Sequence, residues 1–414
     1  METMGFCHGL NVLIRRIARP RSVRCYSTTA DRVAELESEG AYAVMAAASK
    51  VEQETGKKVA RLEIGQPTFP TPQHIVQAGV RAIESGQTKY SSPSGVQSLK
   101  EAVAEHTTKT RGIKTLPEEV VIGPGAKPGL FLTTLALVNA GDEVMYPDPG
   151  FPTYKAMTLT AGAIPVPVPL TRDGRTFEMA TFEKLISPKT KLVVLNSPGN
   201  PTGGVMPQND LERIAELAKE YDFWVITDEI YSRLLYDIPC APSIYSIPGM
   251  KERTILVDGF SKTYCMTGWR LGWAVMPQQL TNKVELLLTH SVGCTATFTQ
   301  GAGVAALTGP EDDLLEMIED YRSRRELVVQ GLNSIPGVTC PVPAGAFYAF
   351  FDVSSFGLTS REISRKLLRE GLVAVLPGTD FGANGEGFLR LSYASPRDQI
   401  EQGLERILST LKTL

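Results

Sequence analysis

Short apolar runs alternate with amphipathic segments through the middle of the chain. The runs Val120–Ile122, Leu192–Leu195 and Thr254–Val257 are apolar and rich in β-branched residues, so they predict buried strands. Between two such runs, Gln208–Tyr221 carries apolar residues at the spacing of one helical face. Alternating strands and helices predict an α/β fold, with a large domain over residues 76–308 built on a mainly parallel sheet.

The pattern changes after about residue 309. A long charged helix near Glu311–Asn333 precedes short apolar strands and two further helices. We interpret residues 309–414 as a smaller α+β domain. We expect residues 31–75, including a helix near Ala34–Glu54, to pack with it. A cleft between two such domains is a common place for a cofactor.

The first thirty residues differ in composition from the rest. They contain five arginines, several serines and threonines, and the single acid Glu2. This composition is typical of a mitochondrial transit peptide, and Arg24–Ser27 resembles a matrix-protease site cleaved after Tyr26. Residues 1–30 therefore predict localisation in the mitochondrial matrix. A basic leader without import function is the alternative, and it would leave the protein in the cytoplasm.

The overall composition excludes several classes of protein. Hydrophobic residues make up 43% and charged residues 21%, as in globular proteins, and the net charge of −3 gives no indication of a nucleic-acid partner. We find no apolar run of the roughly 18 residues that span a bilayer. The six cysteines and four histidines lack metal-ligand spacing, so we predict no metal site.

Lys262 is the first candidate for chemistry. It follows the buried strand Thr254–Val257, and burial lowers the pKa of a lysine by disfavouring its charged form. A neutral amine can form a Schiff base with an aldehyde. Arg270, eight residues later, offers a guanidinium suited to a phosphate. An amine for an aldehyde and a cation for a phosphate fit pyridoxal 5′-phosphate (PLP), although a surface lysine in a Ser/Thr-rich turn is the alternative.

Further motifs lie where predicted strands end. Gly123–Lys127 joins a strand to a helix, where backbone N–H groups and the helix dipole favour a phosphate. Asn196–Gly203 and Thr227–Tyr231 place an amide, a carboxylate and a phenol at two other strand ends. Phe151 follows a turn and can stack on a flat ring. Arg390 lies within an apolar strand, where an unpaired guanidinium is costly.

In their order and spacing these motifs resemble those of fold-type I PLP enzymes, specifically a class I aminotransferase of the aspartate aminotransferase superfamily. The resemblance covers about residues 32–412. The segments that carry it are Ile64–Pro67, Lys89–Gly95, Asn200–Gly203, Ser261–Lys262, Arg270 and Arg390–Tyr393. It implies PLP as cofactor and the same division into a large and a small domain.

The resemblance also implies roles for the catalytic residues. Lys262 would be the Schiff-base lysine and the base that moves the substrate's α-proton. Asp228 would pair with the pyridine nitrogen and keep it protonated, so that the ring stays an electron sink. Tyr231 and Asn200 would donate hydrogen bonds to the ring oxygen.

The implied phosphate ligands are Ala126, Lys127, Ser261 and Arg270. Arg390 would bind the substrate α-carboxylate beside Asn200, and Gly65 would allow close approach of the backbone to the substrate. Phe151 takes the ring-stacking position, where many relatives carry a tryptophan or tyrosine, although it can also be a plain core residue. Tyr90 matches a residue that reaches the partner subunit's phosphate, which implies a homodimer; an exposed loop tyrosine is the alternative.

Amino-group transfer from an L-amino acid to a 2-oxo acid is the activity that the resemblance favours, since a bound α-carboxylate is held near the ring plane and is not easily lost. In the aspartate-directed subgroup that the chain resembles, a lysine at position 127 can contact a distal carboxylate. Aspartate or glutamate as donor, with 2-oxoglutarate or oxaloacetate as acceptor, is therefore our preferred prediction. A further phosphate ligand is the alternative role for Lys127, and Phe69, Phe151 and Phe298 leave aromatic or kynurenine-type donors open.

Two other functions remain as alternatives. The same scaffold supports PLP-dependent β-lyases and carbon–carbon bond-forming synthases, because fold alone does not decide function. A cofactor-binding relative without turnover belongs to a different class. The joint presence of Lys262, Asp228, Tyr231 and Arg390 argues against it.

Overall fold

The computed structural model describes residues 30–37 and 39–414, so the predicted leader lies outside the described residues except for Ala30. The strands are β1 Ala60–Arg61, β2 Val120–Gly123, β3 Glu143–Asp148, β4 Ile164–Pro169, β5 Thr190–Asn196, β6 Trp224–Asp228, β7 Thr254–Gly259, β8 Gly272–Val275, β9 Tyr348–Asp352, β10 Val373–Ala374, β11 Leu376–Pro377 and β12 Phe388–Ser392. The α-helices are α1 Asp31–Ala34, α2 Gly40–Thr55, α3 Gln73–Glu84, α4 Gln97–Arg111, α5 Lys127–Leu137, α6 Thr153–Thr160, α7 Met179–Leu185, α8 Gln208–Glu220, α9 Phe260–Thr263, α10 Gln278–Ser291, α11 Thr297–Thr308, α12 Asp312–Asn333, α13 Ser360–Arg369 and α14 Arg397–Leu411.

Strands β2 to β8 form one sheet in the order β2-β8-β7-β6-β5-β3-β4. β8 is antiparallel to its neighbours β2 and β7, and the other pairs are parallel. The predicted α/β fold with a mainly parallel sheet is confirmed. In this sheet Asn196 pairs with Asp228, which pairs in turn with Val257, so β5, β6 and β7 end at the same edge.

Helices cover both faces of this sheet. In β5, Leu192 and Val194 pack in the cluster that includes Leu130 of α5, whereas Val193 packs in the cluster that includes Leu211 of α8. Successive residues of a strand point to opposite faces, so this alternation requires an apolar layer on each side. The apolar face predicted for α8 is buried in the second layer.

The remaining strands form two small sheets. β11, β12 and β9 form an antiparallel sheet, and β1 pairs in parallel with β10. The sequence indicated one strand over Val373–Leu376. The structure instead gives β10 and β11, which join different sheets on either side of Val375. All four residues are buried, so their apolar pattern does not reveal the change of sheet.

The predicted N-terminal helix over Ala34–Glu54 is wrong in its first part. The chain forms the short α1, Glu39 has extended geometry, and α2 starts at Gly40. A side chain at Gly40 would collide with the carboxylate of Asp380, so α2 begins at a close contact with another part of the chain. This contact is distant in sequence, and helical periodicity cannot reveal it.

Residues 40–61 pack against elements of the C-terminal part. Ala48 and Val51 of α2 share an apolar cluster with Leu368 of α13 and Ala374 of β10. α1, by contrast, contacts α6, which flanks the large sheet. The chain between α1 and α2 therefore passes from the large-sheet layer to the small sheets. The domain boundaries at residues 76 and 309 stay predictions.

Candidate active site

Asp228 lies at the end of β6, where only 5% of the residue is exposed. Its Oδ2 accepts a hydrogen bond from Tyr154 Oη at 2.8 Å, and its Oδ1 accepts one from Ile230 N at 3.3 Å. Burial raises the pKa of the carboxyl to about 6, although the bond from Tyr154 opposes this rise. A cationic partner would favour the ionised carboxylate again. The position therefore suits a group such as a protonated ring nitrogen.

Lys262 lies in α9, which directly follows β7. Its Nζ donates a hydrogen bond of 2.6 Å to Gly65 O and lies 5.8 Å from the centroid of the Phe347 ring. Burial lowers the pKa of this amine to about 8, and the positive charges of Arg390, Arg270 and Lys127 contribute further. An amine with this pKa is partly neutral near physiological pH, as a nucleophilic lysine must be.

The loop before α5 has the features of a phosphate site. Gly125 has a φ of +92°, and a side chain there would collide with the guanidinium of Arg270. Arg270 donates from Nη1 to Thr267 O at 2.8 Å and from Nη2 to Pro124 O at 3.4 Å, which holds it over the loop. Ala126 precedes the first helical residue, Lys127. The guanidinium and the N-terminus of α5 together suit a phosphate.

Arg390 is buried within β12, with 3% exposure. Nη1 donates to Asn200 Oδ1 at 3.0 Å, and Nη2 donates to Glu63 O at 2.5 Å. The rings of Tyr348 and Phe381 flank the guanidinium at 4.4 Å and 4.8 Å from Cζ. Arg390 Nε has no hydrogen-bond partner among the described residues. A buried guanidinium with a donor to spare is a suitable partner for a carboxylate.

The sequence did not single out Tyr348 or Tyr154. The hydroxyls of Tyr348 and Tyr231 lie 2.8 Å apart, and a side chain at Gly65 would collide with the hydroxyl of Tyr348. Burial raises the pKa of Tyr231 well above its ordinary value, so this phenol stays a donor. Tyr154 lies in the first turn of α6, whereas Phe151 precedes that helix, so helical spacing did not mark Tyr154. Nothing local distinguished Tyr348 from its aromatic neighbours.

Lys127 and Phe151 lie next to each other. Lys127 Nζ forms an ion pair with Glu39 Oε1 and lies 5.2 Å from the centroid of the Phe151 ring. Phe151 is half-buried and packs edge-on against Tyr154, with 5.8 Å between ring centroids. Sequence analysis did not place Glu39 here, because it lies 88 residues before Lys127 along the chain.

Two of the predicted residues are less engaged. Ser261 precedes Lys262 in α9 and is half-buried. Tyr90 is 97% exposed, so it does not enter the site of its own chain. The structure thus brings together the predicted residues other than Tyr90. Ser261 belongs to this group because it directly precedes Lys262 in α9.

A comparison of the whole chain with known families agrees with this geometry. The profile of the family described as aminotransferase class I and II matches residues 57–407. The chain belongs to this family. The predicted membership of the class I PLP aminotransferases is confirmed, and the protein is a PLP-dependent aminotransferase. None of the similar proteins named below is a lyase, a synthase or a non-catalytic protein.

Similar proteins cover nearly the whole chain. The aspartate aminotransferase of Musicola paradisiaca is 36% identical over 387 residues, which are 93% of this chain and 96% of that protein. Aromatic-amino-acid aminotransferase 2 of Thermococcus litoralis is 38% identical over 85% of this chain and 91% of its own length. The solved aspartate aminotransferase of Rhizobium meliloti superposes with a TM-score of 0.89 at 34% identity, covering 93% of this chain and 99% of that structure.

The residues present fit the cofactor that the family uses. The glycine loop under Arg270, the amine of Lys262 and the buried carboxylate of Asp228 offer partners for a phosphate, an aldehyde and a ring nitrogen. When bound, PLP supplies the electron sink that acidifies the Cα–H bond of an amino acid. Within residues 30–37 and 39–414 there is no cluster of His, Cys, Asp or Glu suited to a metal ion. No helix in this part of the chain has the length and apolar character needed to cross a membrane.

Proposed function

We propose that this aminotransferase acts on amino acids with a second carboxylate, aspartate or glutamate, with oxaloacetate or 2-oxoglutarate as acceptor. Lys127 carries the proposal. Its Nζ lies beside Phe151, and its charge contributes to the lowered pKa of Lys262, as that of Arg390 does. Two cations near one amine suit a substrate with two carboxylates. Aspartate aminotransferases are among the similar proteins, which supports the same substrate class.

In this proposal each residue acts on a defined atom. Arg390 binds the α-carboxylate through its guanidinium, with Asn200 fixing the orientation of that fork. The amine of Lys262 would accept the proton from the substrate Cα and deliver it to the cofactor. Asp228 would pair with the ring nitrogen of the bound cofactor, and the buried hydroxyl of Tyr231 would donate a hydrogen bond to its ring oxygen. Lys127 receives the second carboxylate.

Aromatic amino acids are the second candidate. Thermococcus litoralis aromatic-amino-acid aminotransferase 2 is similar over most of the chain. In addition, Glu39 already neutralises Lys127, which weakens its attraction for a second carboxylate. Phe151 beside Lys127 offers an apolar contact for an aromatic side chain.

Absorbance titration of the protein carrying PLP separates these substrates. Single amino acids are added to protein lacking residues 1–26, and then a 2-oxo acid. We expect aspartate and glutamate to convert the cofactor's absorption band at concentrations at least tenfold below those needed for phenylalanine or alanine, and 2-oxoglutarate to restore it. Equal or better conversion by phenylalanine would replace the proposal by the aromatic one. Release of ammonia and pyruvate instead would indicate a β-lyase.

We further propose that residues 1–30 direct the protein to the mitochondrial matrix. The arginine-rich, acid-poor composition supports this. Residues 1–30 fused to a fluorescent protein should be imported into mitochondria and shortened after Tyr26. A matched fusion in which the five arginines are replaced by glutamine should stay in the cytoplasm. Cytoplasmic fluorescence of the unaltered fusion would leave the cytoplasm as the compartment.

We also propose a homodimer in which Tyr90 reaches the partner subunit's phosphate. The 97% exposure of Tyr90 supports a contact outside its own chain. Tyr90→Ala and Lys262→Ala chains should each form weakly active homodimers. After mixing and exchange of subunits, one site of each mixed dimer would contain both native residues and regain activity. If the mixture shows only the mean of the two parents, Tyr90 does not act across subunits.

A further inference from the structure

The segment between α1 and α2 is acidic and pairs with one lysine on each of α5 and α6. It carries Glu35, Glu37 and Glu39. Glu37 Oε1 lies 4.0 Å from Lys155 Nζ of α6, where both side chains are largely exposed. The pairing of Glu39 with Lys127 is less exposed, at 29% and 46% of the two side chains. Only the second pair lies at the active site.

The residue after Glu39 packs closely against Asp380. A Cβ at Gly40 would collide with the carboxylate of Asp380, so a larger residue there would displace that side chain. Asp380 accepts a hydrogen bond of 2.8 Å from Arg361 of α13, and the following residue, Phe381, stacks on Arg390. Glu39 therefore lies next in sequence to a close contact with the segment that flanks the guanidinium of Arg390.

The charge of Glu39 acts on the site itself. It raises the pKa of Lys262 against the larger effects of burial and of the surrounding cations, and it also contributes to the raised pKa of Tyr348. Lys262 follows β7 of the large sheet, whereas Tyr348 lies in β9 of a small sheet. Because Glu39 pairs with Lys127 beside Phe151, its carboxylate lies in the region that the proposed function assigns to the distal end of the substrate.

We propose that Glu39 occupies the subsite for the substrate's second carboxylate and thereby determines specificity between dicarboxylic and neutral substrates. This inference rests on the proposed function, in which Lys127 receives that carboxylate. A dicarboxylic substrate must displace the Glu39 carboxylate from Lys127, whereas a neutral substrate need not. Glu39 thus lowers the affinity for dicarboxylic substrates and leaves that for neutral substrates unchanged.

The test compares Glu39→Gln with the unaltered enzyme carrying PLP. Glutamine keeps the size of the side chain and removes its charge. Succinate, which has two carboxylates and no amino group, should bind roughly three- to fivefold more tightly to the variant, as expected for loss of a half-exposed ion pair. Butyrate, which has one carboxylate, should bind equally to both. Calorimetry measures these dissociation constants without turnover.

Glu37→Gln is the matched control, because it removes the same charge two residues earlier, where the carboxylate lies against exposed Lys155. It should leave the affinity for succinate unchanged. The ratio of kcat/KM for aspartate to that for alanine should rise roughly three- to fivefold in Glu39→Gln alone. Equal gains in both variants would mean that only net charge matters, and no gain or a loss in Glu39→Gln would overturn the inference.

Lys127→Ala separates this inference from the proposed function. If Lys127→Ala weakens succinate binding and Glu39→Gln does not strengthen it, Lys127 receives the carboxylate and the role of Glu39 is wrong. If Lys127→Ala affects succinate and butyrate equally, the proposed function itself fails. In that outcome Lys127 contributes to phosphate binding or to packing.

Discussion

The two walls of the cleft are held in different ways. On the large-sheet wall, parallel strands place Asp228 and Lys262, since both lie at or just beyond strand ends at one edge. The opposite wall, here called the small-sheet wall, carries Arg390 in β12. The position of this guanidinium is held by tertiary contacts: two aromatic rings flank it, and it donates hydrogen bonds to Asn200 and to Glu63 O. The first wall is fixed by backbone pairing and the second by contacts between segments distant in sequence.

Substitutions on the two walls should therefore impair different steps of the reaction. Changes on the large-sheet wall should impair the cofactor's attachment and the proton transfer, because those groups act on the cofactor. Changes on the small-sheet wall should impair substrate binding and leave the cofactor in place. The bond from Lys262 Nζ to Gly65 O joins the walls and makes each sensitive to the other.

Lys262→Ala should have the largest effect. It removes the amine to which we assign cofactor attachment and proton transfer, and general base catalysis alone contributes about 10²- to 10⁴-fold. We expect kcat to fall at least about a thousandfold, and PLP to become removable by gel filtration. Lys283→Ala, which changes an exposed lysine of α10, should behave as the unaltered enzyme. Activity retained in Lys262→Ala would remove this residue from the mechanism.

Arg390→Leu should have the next largest effect, and on substrate affinity. Two hydrogen bonds to a carboxylate are lost, each worth about 1.5–3 kcal/mol. We therefore expect kcat/KM for amino acids to fall by roughly a hundredfold or more, with PLP still bound. Arg390→Lys keeps a charge without the planar fork and should recover only part of the loss. Steady-state kinetics with unchanged substrate affinity in Arg390→Leu would place the carboxylate elsewhere.

The pH dependence of cofactor attachment connects the two walls. The pKa of Lys262 is lowered to about 8, partly by Arg390 from the other wall. Only the neutral amine attacks an aldehyde, so attachment of PLP to cofactor-free protein should accelerate as pH rises and level off above pH 8. Below that value the rate should fall about tenfold per pH unit. A lysine in water would level off only near its ordinary pKa of about 10.4.

Arg390→Leu provides the control for this profile. Removing that positive charge should move the midpoint to higher pH, because Arg390 contributes to the lowered pKa of Lys262. Stopped-flow absorbance measures both profiles. Superimposable profiles would mean that burial alone lowers the pKa and that the charge of the opposite wall has no effect.

The same contrast explains what the sequence could predict. Lys262, Asp228 and Asn200 follow strands within short motifs, so their grouping at one edge was expected from local pattern. Tyr348 and Glu39 could not be recognised, since their partners Tyr231 and Lys127 lie far away along the chain. Close contacts of this kind depend on how the small sheets pack on the large one. They include the contact of Gly40 with Asp380 at the start of α2, which periodicity placed wrongly.

Tyr348→Phe should have the smallest effect. It tests the comparison of the two walls directly, because the Tyr348 hydroxyl connects the small sheet to Tyr231. The phenyl ring can still stack on Arg390, whereas the hydrogen bond between the hydroxyls of Tyr348 and Tyr231 is lost. A neutral hydrogen bond of this kind is worth about 0.5–1.5 kcal/mol, so we expect kcat to fall roughly two- to tenfold. KM should stay unchanged, because the guanidinium remains flanked by two rings. A rise in KM without a change in kcat would show instead that the Tyr348 hydroxyl contacts the substrate directly. Its bond to Tyr231 would then have no role in the reaction, and Tyr348 would act only in substrate binding, like Arg390.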